Sequence, residues 1–378
     1  MVDASLNDAQ VDDAGLGLSP QQLASVDSLL ANADILIMAG PGGVGKTTIG
    51  AALGVRAAQV HERRVVVVTV DPARRLAEAL GVARITEEPV LVPVGGGDGR
   101  LWMLMVDMAK SWDQLVARHS PTPEVADKLL ANSLYRTLTR RFVQSHDYIA
   151  FDHLLSLAEA DRYDLVIVDT PPSDHALDLL DAPGRMIEFF ESRLLRWLSI
   201  GAGSSLTTLA AKPFLLVAER LLGSDFLGQI TEFFTLFSRL RPRFVARARA
   251  VEERLSDDST TYVVVTTTDP LVAAGAQELT DELDRRGLTP GMLVANRFAP
   301  TLRLDDDGII ASRFDDGIAG EIEDPTLSQA VAQLLDQARV ATLPSNEGRS
   351  PVVAVAWSAA DLTDLDGLAG LLSSTPAD

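Results

Sequence analysis

The stretch Gly40-Pro41-Gly42-Gly43-Val44-Gly45-Lys46-Thr47-Thr48 constrains this chain more than any other. It fits the phosphate-loop pattern GxxxxGK[ST] at Gly40, Gly45, Lys46 and Thr47. Apolar Ile35 to Ala39 precede it as a buried strand, and an alanine-rich helical pattern from Ile49 to Val60 follows. Strand, glycine loop and helix in that order are the context the motif requires. Glycines let successive backbone N–H groups turn toward one anion, and the helix N-terminus adds the positive end of its dipole. In such a loop Lys46 reaches the β- and γ-phosphates, the Thr47 hydroxyl ligates Mg²⁺, and the backbone from Gly42, Gly43 and Val44 through Gly45 to Thr48 lines the phosphates. A ligand-free Gly-rich turn is the competing reading, and the flanking pattern argues against it.

The rest of the chain supplies strands in alternation with helices. Arg64 to Val70 is an unbroken β-branched run, as in a strand buried on both faces. Leu101 to Val106, Asp164 to Val168, Tyr262 to Val265, Met292 to Ala295 and Arg339 to Leu343 read as further strands. Helical patterns separate them, for example Pro270 to Arg286 and Pro325 to Gln337. The expected fold is α/β, a doubly wound, mostly parallel sheet. Ligands bind such sheets at the carboxyl ends of the strands, where Gly40, Asp71, Asp169, Asp269 and Asn296 fall. Residues 1–18 read as a disordered acidic tail. Ser19, Pro20 and Gln22 then form a helix start with a capping box. Residues 19–378 read as the phosphate-loop domain, and residues 108–162 and 183–257, too long and helical for simple crossovers, read as an inserted helical subdomain. Ser199 to Lys212 inside it reads as a mobile loop, and Thr301 to Glu323 as a solvated acidic insertion.

Charge and cysteine content narrow the partners. The formal charge of −20 repels nucleic acid and anionic membrane surfaces. No stretch of about 18 uncharged apolar residues occurs, so no membrane insertion is expected. Lys46 is the first basic residue, and the expectation is a cytoplasmic protein without a signal peptide. Cysteine is absent, which excludes disulfides, thiolate metal sites and cysteine nucleophiles.

Downstream of a phosphate loop, a carboxylate ending an apolar strand is the usual second Mg²⁺ anchor, and Asp169 fits it. Asp71 also ends a strand and is placed to hold or deprotonate an attacking water, although a plain strand-end carboxylate is an equal reading. No Asn/Thr-Lys-x-Asp element for guanine is present, which favours ATP over GTP.

Taken together, Gly-Pro-Gly-Gly-Val-Gly-Lys-Thr at residues 40–47, Asp71-Pro72-Ala73-Arg74-Arg75-Leu76, and the run from Asp169-Thr170-Pro171-Pro172 through His175 to Leu180 resemble the ArsA/GET-pathway ATPase family. That family lies in the class that includes MinD and the nitrogenase iron protein. The late pair Val263 to Leu271 and Leu293 to Phe298 is similar too, so the resemblance spans about residues 34 to 345. The resemblance implies a dimeric, Mg²⁺-dependent ATPase. Lys46, Asp71 and Asp169 would be catalytic, with Thr47 and Asp169 at the metal. Asn296 would read the adenine edge, Pro344 would lie in the loop over the base, and His175 would be the switch histidine. Nucleotide state would move the helical subdomain, which handles an apolar protein or lipid-like client. Three departures stand out: Pro41 where family members carry a lysine that crosses the dimer interface, Arg74 in place of a histidine, and Asp174 in place of a glycine. Without cysteines the chain also lacks the metalloid site of an arsenite pump subunit and the zinc clip of eukaryotic GET ATPases.

Three functional classes follow. The first is the dimeric Mg·ATPase. The second is a weakly hydrolysing regulatory subunit paired with a lysine-bearing homologue, which Pro41 favours. The third, a MinD-like partition ATPase, is disfavoured by the helical insertion and by the acidic stretch Asp361 to Asp378. Two aromatic-rich stripes bear on the client: Phe226, Ile230, Phe233, Phe237, Leu240 and Phe244, and Ile187, Phe190, Leu194 and Trp197. Ordinary core is the default for both, and a nucleotide-sensitive groove is the sharper alternative.

Overall fold

Ile35–Ala39, Arg64–Thr69 and Leu165–Asp169 are aliphatic runs with no polar alternation, so neither face of these strands suits water. The computed structural model describes residues 17–69, 76, 80, 88–95, 97–106, 108–136, 146–170, 180–192, 224–298, 303–304, 310–311, 349–356 and 364–373. It places those three strands side by side within one sheet.

In chain order the elements are α1 (Pro20–Asn32), β1 (Ile35–Ala39), α2 (Lys46–Gln59), β2 (Arg64–Thr69), β3 (Val90–Val92), β4 (Arg100–Met105), α3 (Met108–His119), α4 (Pro123–Ala131) and α5 (His146–Ala158). There follow β5 (Leu165–Asp169), α6 (Ala182–Glu191), α7 (Ser224–Leu255), β6 (Thr260–Thr267), α8 (Pro270–Arg285), β7 (Met292–Phe298), β8 (Arg303–Leu304), β9 (Ile310–Ala311), β10 (Val352–Ala356) and α9 (Leu365–Leu371). The main sheet has the order β10-β7-β6-β1-β5-β2-β4-β3. The pairs β10/β7, β7/β6, β1/β5 and β5/β2 are parallel. This is the doubly wound, mostly parallel α/β fold of a phosphate-loop NTPase. The chain divides into two compact units, residues 1–104, 163–176 and 261–378 in one, and residues 105–162 and 177–260 in the other.

In the sheet unit, α2 lies close on the strands because Gly50 and Gly54 face them. A methyl group on Gly54 would come within 2.8 Å of Val67, and one on Gly50 within 3.2 Å of Met38. Arg56 near the end of α2 binds both carboxylate oxygens of Asp27 on α1 at 2.8 Å and donates to the Leu372 carbonyl at 2.9 Å. These contacts fix the helix whose first turn carries the phosphate loop. The capping box of α1 is present, with Ser19 and Gln22 exchanging hydrogen bonds.

Several expectations change. Leu18, placed at the end of a disordered tail, is instead 4% exposed, and its N–H donates to the Ser373 carbonyl at 2.9 Å. An apolar side chain there extends the core under α1. The strand expected at Arg339 to Leu343 lies outside the described residues, and the sheet edge beside β7 is formed by Val352–Ala356. Its alternating burial suits an edge rather than the sheet centre, and only the pairing with β7 reveals it. The edge hairpin β3/β4 is antiparallel and was not anticipated for Val90–Val92. Within the stretch expected to be an irregular insertion, Arg303 and Leu304 pair with Ala311 and Ile310 in a short antiparallel ladder.

The helical unit is built around α7. Phe233, Phe237, Leu240 and Phe244 are all buried, with Phe190, Trp112 and Leu115 in the same cluster. Phe244 lies 4.9 Å from the Phe190 ring and 5.0 Å from the His119 ring, centroid to centroid. These stripe residues are core, and the groove reading fails for them. The helical period shows that they share a face, but neighbouring α3, α4 and α6 supply the cover. Phe226, Leu194 and Trp197 lie outside the described side chains.

A charged cluster ties three of these helices together. Buried Asp152 on α5 accepts from Arg247 Nε of α7 at 2.7 Å and Arg118 of α3 at 3.2 Å. Ser156 receives both guanidiniums, at 2.7 and 2.8 Å. Burial opposes ionisation of Asp152, but His119 close by at 3.8 Å, the bond from Arg247 and the guanidinium charges of Arg247 and Arg118 hold its carboxyl below 3.8. Burial, reinforced by the Arg118 charge, lowers the neighbouring His153 below its ordinary 6.5.

The signs give two expectations. As pH falls through 6.5 the unfolded chain takes up the His153 proton before the folded chain does, so stability falls. His153→Gln removes that part of the loss, measured as the urea midpoint between about pH 7.5 and 5.5. The Asp152 contribution persists until pH drops below 3.8. Phe244→Ala costs about 3–5 kcal/mol in the same assay, and Phe233→Asp prevents the helical unit from folding.

Candidate nucleotide site

The loop between β1 and α2 is shaped by what presses against it. Gly40 has φ +141° and its Cα lies against β6, where a methyl group would fall 2.1 Å from the Val265 carbonyl oxygen. Gly45 caps α2 at φ +97°, where a methyl group would fall 2.2 Å from Asn296 Nδ2. Only glycine fits either place. Gly43 also has positive φ, +76°, but open space lies where its side chain would be. The loop is therefore crowded on its sheet side at Gly40 and Gly45 and open at Gly43, a cradle for something outside the chain.

Lys46 is 5% exposed, and its ammonium donates to the Gly40 and Pro41 carbonyls at 3.0 and 2.9 Å. Thr47, on the first turn of α2, donates its hydroxyl to Asp169 Oδ2 at 2.8 Å. Thr69, at the end of β2, donates to the same oxygen at 3.0 Å. Strand register explains the meeting: in parallel β2/β5 and β1/β5, Asp169 stands opposite Thr69 and Met38. Thr170 then donates to the Met38 carbonyl at 2.6 Å, tying β5 to the strand that feeds the loop. Asp169 itself is 1% exposed. An aspartate carboxylate beside a threonine hydroxyl is a hard oxygen donor set, which fits Mg²⁺ and not a soft metal.

Asn296, 7% exposed, sits under the loop, and its Nδ2 donates to the Val44 carbonyl at 2.8 Å. Thus Lys46, Thr47, Asp169 and Asn296, together with Gly42, Gly43, Val44, Gly45 and Thr48, meet at one end of the sheet. Asp269 instead caps α8, accepting from the Leu271 and Val272 N–H groups at 2.9 and 3.2 Å. Asp71, Arg74, Asp174, His175 and Pro344 lie outside the described residues. The ring of Pro41 faces Gly275 of α8, 3.7 Å from where a methyl group would stand. Thr69 was not singled out from the sequence. Its signal is a hydroxyl closing a valine run two residues before Asp71, and it acquires meaning only through the pairing with β5.

The family model described as anion-transporting ATPase matches residues 33–316, from the approach to β1 to beyond β9. The chain belongs to the anion-transporting ATPase family. An uncharacterized protein of Streptomyces coelicolor is 31% identical over 266 residues, covering 70% of this chain and 62% of that protein. An ATPase ASNA1 homolog of Entamoeba histolytica is 22% identical over 272 residues, 70% of this chain and 76% of its own length. An ATPase GET3 of Malassezia globosa is 24% identical over 258 residues, 68% and 70% of the two chains. The chain therefore spans under two thirds of the Streptomyces relative. No helix among the described residues is long and apolar enough to cross a membrane.

The two crowded glycines and the open one behave differently when substituted. Gly40→Ala and Gly45→Ala force backbone or amide displacement and abolish nucleotide binding, while Gly43→Ala meets only the left-handed backbone cost of about 1–2 kcal/mol. Titration with a fluorescent ATP analogue, alongside thermal unfolding, separates the three.

Proposed function

We propose that this protein is a cytoplasmic, Mg²⁺-dependent ATPase that works as a dimer and couples its nucleotide state to the helical unit, which handles an apolar protein or lipid-like client. One observation carries the reading: Thr47 and Asp169, 122 residues apart, meet at 2.8 Å beside a phosphate loop. Family membership adds the ATPase activity, and the resemblance to targeting ATPases adds the dimer and the client. The client surface is not the Phe233 to Phe244 face, which is core.

Each residue then has a role. The N–H groups from Gly42 to Thr48 bind the phosphates, and Lys46 turns from the Gly40 and Pro41 carbonyls to the β- and γ-oxygens. Thr47 and Asp169 would hold Mg²⁺. When bound, Mg²⁺ neutralises charge developing on the phosphates. Asp71 orients the attacking water and accepts its proton. Asn296 and Pro344 hold the adenine.

A second reading, an ATP-binding regulatory subunit in a heterodimer, is favoured by Pro41. Proline has no cation to offer the opposite nucleotide, and in related phosphoryl transfers a charge supplied from across an interface is worth about 10³–10⁵ in rate.

Lys46→Ala abolishes nucleotide binding, whereas Asp71→Asn binds ATP normally and loses about 10²–10⁴ in phosphate release. Equal turnover by wild type and Asp71→Asn removes Asp71 from the chemistry. Pro41→Lys raises turnover of the isolated protein if a missing trans cation limits it. An unchanged rate, equal to that of any mixture with a lysine-bearing homologue, counts against the heterodimer.

A further inference from the structure

We propose that Asn296 is a positioning residue for the phosphate loop, so that affinity for the phosphate chain itself depends on it. The inference rests on the nucleotide-binding reading above and extends it.

Three observations converge on this side chain. First, β7 is irregular at Asn296. Its pairing with β10 runs Leu293–Val352, Val294–Val353 and Ala295–Ala354, then shifts to Phe298–Ala356. One extra residue is thus accommodated in β7 between Ala295 and Phe298. Second, the residue after Asn296, Arg297, has φ +56°, a conformation few residues other than glycine adopt. A left-handed residue beside an inserted one is a β-bulge, and it fixes the strand end immediately after Asn296, whose own pairing with Thr267 of β6 is regular. Third, the Asn296 amide, on the strand face it shares with Met292 and Val294, is buried and donates to a loop carbonyl, Val44 O, at 2.8 Å. Gly45 fits so closely above it that any side chain there would collide with Nδ2.

The consequence follows from peptide geometry. In a trans peptide the C=O and N–H point to opposite sides, and no peptide bond among the described residues is cis. Holding the Val44 carbonyl down onto Asn296 therefore holds the Gly45 N–H on the opposite side. This peptide lies between Val44 and Gly45, and Gly45, with positive φ and no side chain, leaves it freer to flip than a peptide between two ordinary residues. A flipped peptide would present a carbonyl oxygen to the phosphates where an N–H should be. Asn296 blocks the flip with one buried hydrogen bond. Its Nδ2 is committed to the loop, which leaves Oδ1 as the atom for the adenine amino group.

The experiment uses the full chain and titrates pyrophosphate with Mg²⁺, a ligand with no base, beside ATP. It compares wild type with Asn296→Ala and with Asn296→Asp, which keeps the size but loses the donor. Both variants weaken pyrophosphate about tenfold, the worth of one such hydrogen bond. Calorimetric stoichiometry confines the reading to folded protein, since a merely structural role would lower the melting temperature and leave the affinity of folded molecules unchanged. Pyrophosphate affinity equal to wild type, with ATP alone weakened, makes Asn296 a base contact only and overturns the proposal. Wild type that binds neither pyrophosphate nor ATP overturns the nucleotide reading instead. Should the Asn296 variants not fold, Arg297→Val and Arg297→Gly decide. Valine resists φ +56° and loosens the bulge, so it weakens pyrophosphate with Asn296 intact, while glycine does not. Equal affinity in the two Arg297 variants overturns the proposal.

Discussion

A carboxylate buried at a strand end needs donors, and Asp169 receives them at one of its two oxygens, Oδ2. Desolvating such a group without partners costs several kcal/mol. Here Thr47 and Thr69 both donate to one oxygen, one from the first turn of α2 and one from the end of β2. Their meeting joins the start of the helix, the ends of two strands and the foot of the phosphate loop. The central order β1-β5-β2 is what allows it, since Asp169 stands in register with both Met38 and Thr69. The hydroxyl and carboxylate groups that satisfy each other are also oxygens of the kind suited to a hard cation.

The loop above this carboxylate is held by contact as much as by hydrogen bonding. Val265 on β6 and Asn296 on β7 stand where side chains on Gly40 and Gly45 would be. Backbone rather than side chain therefore lines the loop at these points, and the positive end of the α2 dipole points the same way. The ammonium of Lys46, lying on the Gly40 and Pro41 carbonyls, closes the other side of the loop. Pro41 keeps that arrangement because the lysine uses its carbonyl, not its missing N–H.

The helical unit follows a different logic. Its core is a set of stacked and edge-on rings on α6 and α7, with Phe237 between Phe190 and Phe233. A buried ionic cluster around Asp152 pins α3, α5 and α7 beside it. Such a cluster is costly to break because removing one partner strands the others in a poorly solvated place.

Much of the sheet unit was legible in local pattern. The glycine loop, the valine run of β2, the apolar run ending at Asp169 and the capping box at Ser19 are each complete within about ten residues, where spacing and residue type carry the physics. The features missed are those that depend on a distant partner. Val352–Ala356 joins the sheet through its pairing with β7. Thr69 matters because Asp169 stands opposite it, 100 residues later. The bulge at Asn296 and Arg297 carries no glycine to announce it, since an arginine holds the left-handed position. The period of the α7 stripe showed that Phe233, Phe237 and Phe244 share a face, and by itself it could not tell a covered face from an open one. The sequence determined which segments fold and which chemistry the loop can perform, because backbone conformation and residue type act over short range. Tertiary structure alone decided which side chains are buried and which carbonyl Asn296 holds, because those depend on what the rest of the chain brings alongside.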